Sequence, residues 1–196
     1  LDAYYKYQLE NEDKSLKKGT GYRLVENILK INSFFSSDER QVEVIILSKN
    51  NAATSLRITN AINDLKLDII RSAWTSGTNI SNYLKAFKVD LFLSADDNDV
   101  LNAIENGVAA AKILHSNENI HNISNEQVRI AFDGDAVLFS EESELVYKNH
   151  GLEAFIEHEK ENRNNPLEMG PFAKLLLTIA KIQAKFPTDK SPIRTA

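Results

Sequence analysis

The segment Val128-Arg129-Ile130-Ala131-Phe132-Asp133-Gly134-Asp135-Ala136-Val137 joins an apolar run to two acidic residues. The run before Asp133 contains β-branched and aromatic residues, which predicts a short buried strand. Asp133 and Asp135 would then lie at the carboxyl end of that strand, where open α/β sheets bind their ligands. Gly134 lets the backbone approach a phosphate group or a metal ion closely. The segment therefore predicts a strand of an α/β fold with a candidate site at its end.

Three further segments have the character of buried strands. They are short, apolar and rich in β-branched residues, and they span 42–47, 89–93 and 108–114. Stretches with a helical period lie between them, such as the apolar stripe formed by Ile58, Ala61, Ile62 and Leu65. Because strands and helices alternate, the sequence predicts an α/β fold with a parallel sheet.

Beyond residue 139 the pattern becomes helical. Helices are predicted over 141–149, 152–162 and 171–186, and the next strand begins only at Ile193. A helical insertion therefore follows the strand that ends at Asp133. Inserted caps of this kind commonly cover active sites.

The chain also carries an internal repeat. Ten residues of the N-terminal region recur without a gap 151 positions later, the spacing from Leu1 to Leu152. The recurring residues are Leu1, Ala3, Glu10, Asn11, Leu16, Gly19, Leu24, Ile28, Lys30 and Ile31. We therefore predict an internally duplicated protein. Residues 1–126 would form a first repeat with cap helices at 1–36, and residues 127–196 would begin a second repeat, with a cap insertion at about 140–188 and a truncated C-terminus.

Composition excludes several classes of function. The net charge of −5 argues against binding a nucleic acid polymer, because that mode needs clustered Lys and Arg. The chain has no cysteine, which removes disulfides and thiolate metal sites, and its four histidines lack a zinc-binding spacing. It also lacks a membrane-spanning apolar run and a signal peptide, so we predict a cytoplasmic protein with no membrane partner.

Two carboxylates at this spacing suit phosphoryl-transfer chemistry. One carboxylate can attack phosphorus while the other gives a proton to the leaving oxygen and later activates water. Acids this close repel each other unless a cation intervenes, and Mg²⁺ prefers such oxygen ligands. The spacing alone leaves a polar turn open as an alternative. A calcium-binding EF-hand loop is excluded, because Val137 stands at a ligand position and a strand precedes the acids.

The acidic segment and several others resemble one family. Residues 128–144 resemble the first motif of the cytosolic type I 5'-nucleotidases, a branch of the haloacid dehalogenase superfamily. Further similar segments cover nearly the whole chain: 83–87, 90–96, 151–162, Pro166-Leu167, Gly170-Pro171 and 192–195. The resemblance implies a Rossmann-like parallel sheet of haloacid dehalogenase type with helical cap insertions.

The resemblance also implies an activity and the residues that perform it. A protein of this family would hydrolyse AMP, IMP, GMP or related deoxynucleotides with Mg²⁺. By motif position, Asp133 is the nucleophile and binds the metal through its side chain. Asp135 is the general acid and base and binds the metal through its backbone carbonyl.

The superfamily needs a hydroxyl residue, a lysine and a late acidic residue as well. In the second repeat these are expected beyond Ala196. In the first repeat Ser48 occupies the hydroxyl position and is a candidate substrate contact, but Ile80 stands where the lysine is expected. Asp96 and Asp97 are more readily explained as caps of the next helix. We therefore predict that the first repeat is degenerate.

Positions that differ between the repeats suggest substrate contacts. His158 and Lys160 correspond to Tyr7 and Leu9 in the first repeat, so we predict that they bind the nucleotide from the insertion. A solvated, charged helix face is an equally good explanation.

Aromatic residues with apolar neighbours are expected in the core rather than as base-stacking platforms. These residues are Tyr4, Tyr5, Phe34, Phe35 and Trp74. One of them could still stack on a purine.

The sequence thus predicts a Mg²⁺-dependent nucleoside 5'-monophosphate phosphohydrolase. Two alternatives remain: a related phosphatase acting on a sugar phosphate or another small metabolite, and a non-catalytic nucleotide-binding protein. A homo-oligomer is compatible with the sequence.

Overall fold

A computed structural model describes residues 2–115 and 127–196. Short strands alternate with helices along much of the described chain. The elements, in chain order, are α1 (Asp2–Glu10), α2 (Tyr22–Lys30), β1 (Ile45–Ser48), α3 (Leu56–Asp64), β2 (Arg71–Trp74), α4 (Ser81–Ala86), β3 (Phe92–Ser94), α5 (Asp97–Glu105), β4 (Ala110–Lys112), β5 (Val128–Ile130), α6 (Glu142–Asn162), α7 (Ala173–Gln183) and β6 (Ile193–Thr195). This element order confirms the predicted α/β class.

The chain divides into two compact units. The first contains the described residues of Leu1–Phe87 and Lys112–Val128, and the second contains Lys88–Ala111 and Arg129–Ala196. A boundary between repeats reflects ancestry rather than compactness, so this division does not test the predicted boundary at residue 126.

The first unit contains a β–α–β element. Strands β1 and β2 pair in parallel, from Ile45 opposite Arg71 to Ser48 opposite Trp74, and α3 connects them along the chain. A crossover helix is the usual connection between parallel strands, because a hairpin turn can join only antiparallel ones. The predicted stripe of Ile58, Ala61, Ile62 and Leu65 coincides with α3 and the residue that follows it.

Strand β1 is shorter than predicted because a side chain forms hydrogen bonds with both main-chain polar groups of Val42. The side-chain oxygen of Asn32 accepts a hydrogen bond from Val42 N at 3.1 Å, and Asn32 Nδ2 donates to Val42 O at 2.9 Å. Val42 therefore has its main-chain partners before any strand begins. The strand starts three residues later, at Ile45.

The sequence pattern did not predict β2, because its first residues are polar and exposed. Arg71 and Ser72 face solvent, whereas Ala73 and Trp74 are half-buried. Arg71 binds Glu43 through two hydrogen bonds, of which the one from Nε is 2.6 Å long. This interaction lowers the pKa of the Glu43 carboxyl below its ordinary value. The pair ties the beginning of β2 to the residues that precede β1.

In the second unit, β3 pairs with β4 and α5 lies between them along the chain. Asp96 caps α5, because its carboxylate accepts a hydrogen bond from Asp99 N at 3.0 Å. Gly107 follows the helix with a φ of 72°, a left-handed conformation that suits glycine. The predicted cap of this helix is confirmed at Asp96, whereas Asp97 is the first residue of the helix.

Strand β5 pairs with β6, which begins at Ile193 as predicted. Ala196 N donates to Ile130 O at 3.0 Å, and Phe132 N donates to Ala196 O at 2.9 Å. One residue that bonds to two alternate residues of its neighbour has the hydrogen-bond pattern of a parallel pair. The described strands thus form pairs, and short parallel strands with helices between them are compatible with the predicted Rossmann-like fold.

Helix α6 is a hairpin of two arms, 142–150 and 152–162, that fold back at Gly151. Gly151 has φ 82° and ψ −175°, a conformation accessible almost only to glycine. The arms meet through Ser143 Oγ, which donates to Glu159 Oε1 at 2.6 Å, and through an edge-to-face contact of Tyr147 with Phe155. The two helices predicted over 141–149 and 152–162 are thereby confirmed.

Gly151→Ala is expected to lower the free energy of unfolding by about 1–3 kcal/mol, because alanine is strained at this φ and ψ. In a protein of this size the melting temperature should fall by roughly 2–10 °C. Thermal melts followed by circular dichroism measure this change. Gly19→Ala is the control, because Gly19 is not left-handed and has open space around it. Equal melting temperatures for the two variants would contradict the hairpin.

The described structure matches across the offset of the sequence repeat. Helix α2 spans the same positions as residues 173–181 of α7, and α1 spans the same positions as residues 153–161 of α6. Asn11 Nδ2 donates to Tyr7 O at 2.7 Å, and its counterpart Asn162 Nδ2 donates to His158 O at 3.0 Å. An identical residue thus makes the same side-chain contact in both segments. The duplication itself stays a prediction from the sequence.

The prediction for the aromatic residues is wrong at three positions. Tyr4, Tyr5 and Phe34 expose 46%, 42% and 59% of their surface. Helix α1 carries both tyrosines and has no buried residue. Apolar neighbours in sequence therefore do not ensure burial.

Among the described residues, no helix combines the length and the apolar character that a bilayer crossing requires.

Candidate functional site

Asp133 follows strand β5 in the sequence, three residues after its last residue, Ile130. Phe132 N donates to Ala196 O at 2.9 Å, and Asp133 continues in an extended conformation with φ −72° and ψ 155°. Its Oδ1 accepts a hydrogen bond from Gly134 N at 2.7 Å. The structure therefore places Asp133 at the carboxyl end of a parallel strand, as predicted.

Asp135 lies on a wide turn that begins directly after Asp133. Residues Gly134–Leu138 form one turn of π-helix, closed by a hydrogen bond from Phe139 N to Gly134 O of 3.0 Å. Single π-helical turns are uncommon and occur often at functional sites. Asp133 and Asp135 are both exposed, so both carboxylates are accessible to a ligand from solvent.

A second backbone segment runs along this turn and holds it. Ser140 N donates to Glu168 O at 2.8 Å, Gly170 N donates to Leu138 O at 2.9 Å, and Phe172 N donates to Val137 O at 3.0 Å. Each bond joins residues about 30 positions apart in sequence. The sequence does not predict these contacts, because no local pattern encodes which backbone groups meet across such a separation.

Two aromatic rings, one before the turn and one from the second backbone segment, pack against each other. The ring of Phe132 contacts that of Phe172 edge-to-face, with centroids 6.4 Å apart. Phe172 directly precedes α7, whose Leu175, Ile179 and Ile182 are buried. The strand end is thus fixed to the core of the second unit, while Asp133 and Asp135 are exposed.

The exposed residues Asp133 and Asp135 are the candidates on this turn for binding a metal ion. Within 2–115 and 127–196, no three His, Cys, Asp or Glu side chains are grouped so as to hold a metal ion. Mg²⁺ typically binds through one or two carboxylates and completes its coordination with water and substrate phosphate. Asp133 and Asp135 could supply oxygen ligands of this kind.

Ser48 lies in the first unit, at the end of β1. Its Oγ accepts a hydrogen bond from Asn50 N at 3.2 Å, and its carbonyl accepts one from Thr75 N at 2.9 Å. The first contact lies in the turn that follows the strand, and the second continues the parallel pairing of β1 with β2. Ile80, at the position where the lysine is expected, is buried, and the nearby Lys85 is exposed on α4.

His158 and Lys160 lie on the second arm of the α6 hairpin. The His158 ring lies between two acids of the hairpin, with Nε2 3.4 Å from Glu142 Oε1 and Nδ1 3.8 Å from Glu159 Oε1. Lys160 is exposed. The structure thus gives His158 a role in joining the two arms and leaves Lys160 available to a ligand.

The sequence of the chain is similar to those of known proteins. The family model described as 5'-nucleotidase matches residues 1–196. Cytosolic 5'-nucleotidase 1B of Homo sapiens is 33% identical to the chain over 203 residues, which cover 100% of the chain and 33% of the human protein. The chain therefore spans about a third of the length of this relative. No solved structure matches the chain significantly.

Proposed function

Because the chain belongs to the 5'-nucleotidase family, we propose that the full protein hydrolyses nucleoside 5'-monophosphates to nucleosides and phosphate. The observation that carries this proposal is the pair of exposed carboxylates, Asp133 and Asp135, on one turn at the carboxyl end of β5. Parallel strands of α/β proteins bind ligands at this end. The name of the human relative refers to the same activity.

In the first step, a carboxylate oxygen of Asp133 attacks phosphorus and the bond from phosphorus to the 5' oxygen breaks. Asp135 donates its proton to that oxygen, and the nucleoside leaves. The phosphoryl group remains on Asp133 as an acyl phosphate. An exposed carboxylate at a strand end suits this step, since the phosphate can approach it from solvent.

In the second step, Asp135 accepts a proton from a water molecule, whose oxygen attacks the same phosphorus. The bond between phosphorus and Asp133 breaks, phosphate leaves, and both carboxyl groups return to their starting states. A bound Mg²⁺ would neutralise the charge of the phosphoryl oxygens in both steps. The Asp133 side chain and the Asp135 carbonyl would hold it.

The same family relationship supports a proposal for the fold type and for the roles of the two repeats. We assign the protein to the haloacid dehalogenase type, with a degenerate first repeat and a catalytic second repeat that begins at residue 127. The α6 hairpin and α7 would form the cap insertion of the second repeat. A cytoplasmic location is in keeping with the word cytosolic in the name of the human relative.

Alanine at Lys160 should raise the KM for AMP about tenfold with little change in kcat, because a charge-assisted hydrogen bond to the nucleotide would be lost. His158→Ala should raise KM less and should also lower the melting temperature, since the ring joins the two arms of the hairpin. Steady-state kinetics and thermal melts of the full-length variants measure these effects. Lys148→Ala is the control, because Lys148 is exposed on the first arm and pairs with Glu144. Unchanged KM in both test variants would remove the two residues from the substrate site.

A substrate panel tests the proposed function. The full-length protein is assayed for phosphate release from AMP, IMP, GMP, their deoxy forms and several sugar phosphates, with Mg²⁺ and with a chelator. We expect release from nucleotides that stops on chelation and returns when Mg²⁺ is added.

Other outcomes of the panel would reject the proposal. A preference for sugar phosphates would make the protein a phosphatase of another metabolite class. Nucleotide-dependent increases in melting temperature without phosphate release would make it a nucleotide-binding protein.

A further inference from the structure

Gly170 lies against the backbone of the turn that carries Asp135. A Cβ atom at this position would lie 2.5 Å from Val137 O, 2.9 Å from the carbonyl carbon of Leu138 and closer still to Phe139 O. All three neighbours are main-chain atoms, so no flexible side chain can move aside to make room. Gly170 is not left-handed. Its requirement for glycine is therefore steric and not conformational.

Three backbone hydrogen bonds at and beside Gly170 depend on the close approach of the two segments. Gly170 N binds Leu138 O, and bonds from Ser140 N to Glu168 O and from Phe172 N to Val137 O lie on either side. A side chain at Gly170 would have to separate the two backbone segments and break bonds of this set. Because Val137 and Leu138 belong to the π-helical turn, the displacement would reach Asp135 within the same turn.

We propose that Gly170 is a positioning residue that holds the π-helical turn, and with it the carbonyl and carboxylate of Asp135, against the strand end at Asp133. The inference rests on the proposed function for its catalytic consequence, whereas the backbone contact itself does not depend on it. Catalytic groups must lie close to their productive positions, and displacement by about 1 Å can cost on the order of a hundredfold in rate.

The internal repeat provides a matched control. Gly19 is the counterpart of Gly170 at the offset of 151 residues, and a Cβ atom there would meet nothing within 4 Å. Gly19 is also outside the left-handed region. The methyl group of an alanine would therefore clash with the backbone at position 170 and would have open space at position 19.

The test compares Gly170→Ala with Gly19→Ala in the full-length protein. For Gly170→Ala we expect kcat for AMP to fall about a hundredfold and the half-saturating Mg²⁺ concentration to rise about tenfold or more. Gly19→Ala should keep both values within about twofold. A loss of folded protein would lower the apparent kcat but would leave the Mg²⁺ dependence of the remaining active molecules unchanged. The Mg²⁺ dependence thus separates positioning from general stability.

Amide hydrogen exchange in the wild-type protein gives a second readout that requires neither activity nor a stable variant. The amides of Phe139, Ser140, Gly170 and Phe172 donate the hydrogen bonds of the turn and of the contact beside it. We expect all four to be protected and to exchange at similar rates.

Exchange as fast as in an open loop would overturn the inference even if Gly170→Ala did not fold. Unchanged kcat and Mg²⁺ dependence in a folded Gly170→Ala would also overturn it. Protection without any phosphatase activity would reject the proposed function and keep the contact.

Discussion

Asp133→Asn is expected to lower kcat for nucleoside monophosphates by roughly 10⁴-fold or more, as removal of a nucleophile commonly does. The neutral amide is a poor nucleophile, so no acyl phosphate forms. Asn retains a side-chain oxygen that can accept the hydrogen bond from Gly134 N. Because position 133 is exposed, the fold should tolerate the change. Phosphate release and acid-quenched labelling with a nucleotide that carries radioactive phosphate measure the loss.

Asp189→Asn is the matched control for this prediction. Asp189 is also exposed, and it lies outside the turn that carries the acidic pair. The control should keep wild-type kcat, and both variants should melt within about 2 °C of wild type. Labelled enzyme that persists in Asp133→Asn would place the nucleophile elsewhere. Unaltered activity would remove Asp133 from the mechanism.

Asp135→Asn should lower kcat for AMP by about 10²–10⁴-fold, the usual contribution of general acid and base catalysis. The two steps should respond differently to the leaving group. A nitrophenyl phosphate needs little proton donation, because nitrophenolate leaves readily, so its first step should be nearly normal. Its second step still needs a base to activate water. We therefore expect a burst of nitrophenolate close to one equivalent, followed by slow turnover.

The metal dependence gives an internal control for Asp135→Asn. In the proposed site Asp135 contributes its main-chain carbonyl to Mg²⁺, and the substitution leaves that carbonyl in place. The half-saturating Mg²⁺ concentration should therefore stay within about threefold of wild type, in contrast to Gly170→Ala. Equal losses on AMP and on the nitrophenyl ester, without a burst, would show that Asp135 does not act as acid and base.

The features that could be predicted from the sequence are those encoded by short, continuous segments. The apolar run before Asp133 indicates a strand, and the acidic pair directly after it is placed at the strand end in the structure as well. The period of the insertion predicted α7 and both arms of α6. These predictions succeed because a side-chain period and a strand terminus depend on neighbours only a few residues away.

Contacts between distant segments were decided by the tertiary structure. The Asn32 side chain shortens β1 from ten positions away in sequence, and the segment 168–172 holds the π-helical turn from about 30 positions away. Tyr4 and Tyr5 are exposed although their neighbours are apolar. No local pattern encodes which backbone groups meet across such separations, because the partners are chosen when the elements pack.

The sequence alone therefore determined the α/β class, the acidic pair and its place at the end of a strand, since each follows from the order and period of adjacent residues. Only the tertiary structure decided how the turn that carries Asp135 is held and why position 170 is glycine. The physical reason is steric: the open space at Gly19 and the crowded backbone at Gly170 arise from packing between segments, although the two residues are identical and hold equivalent places in the repeat.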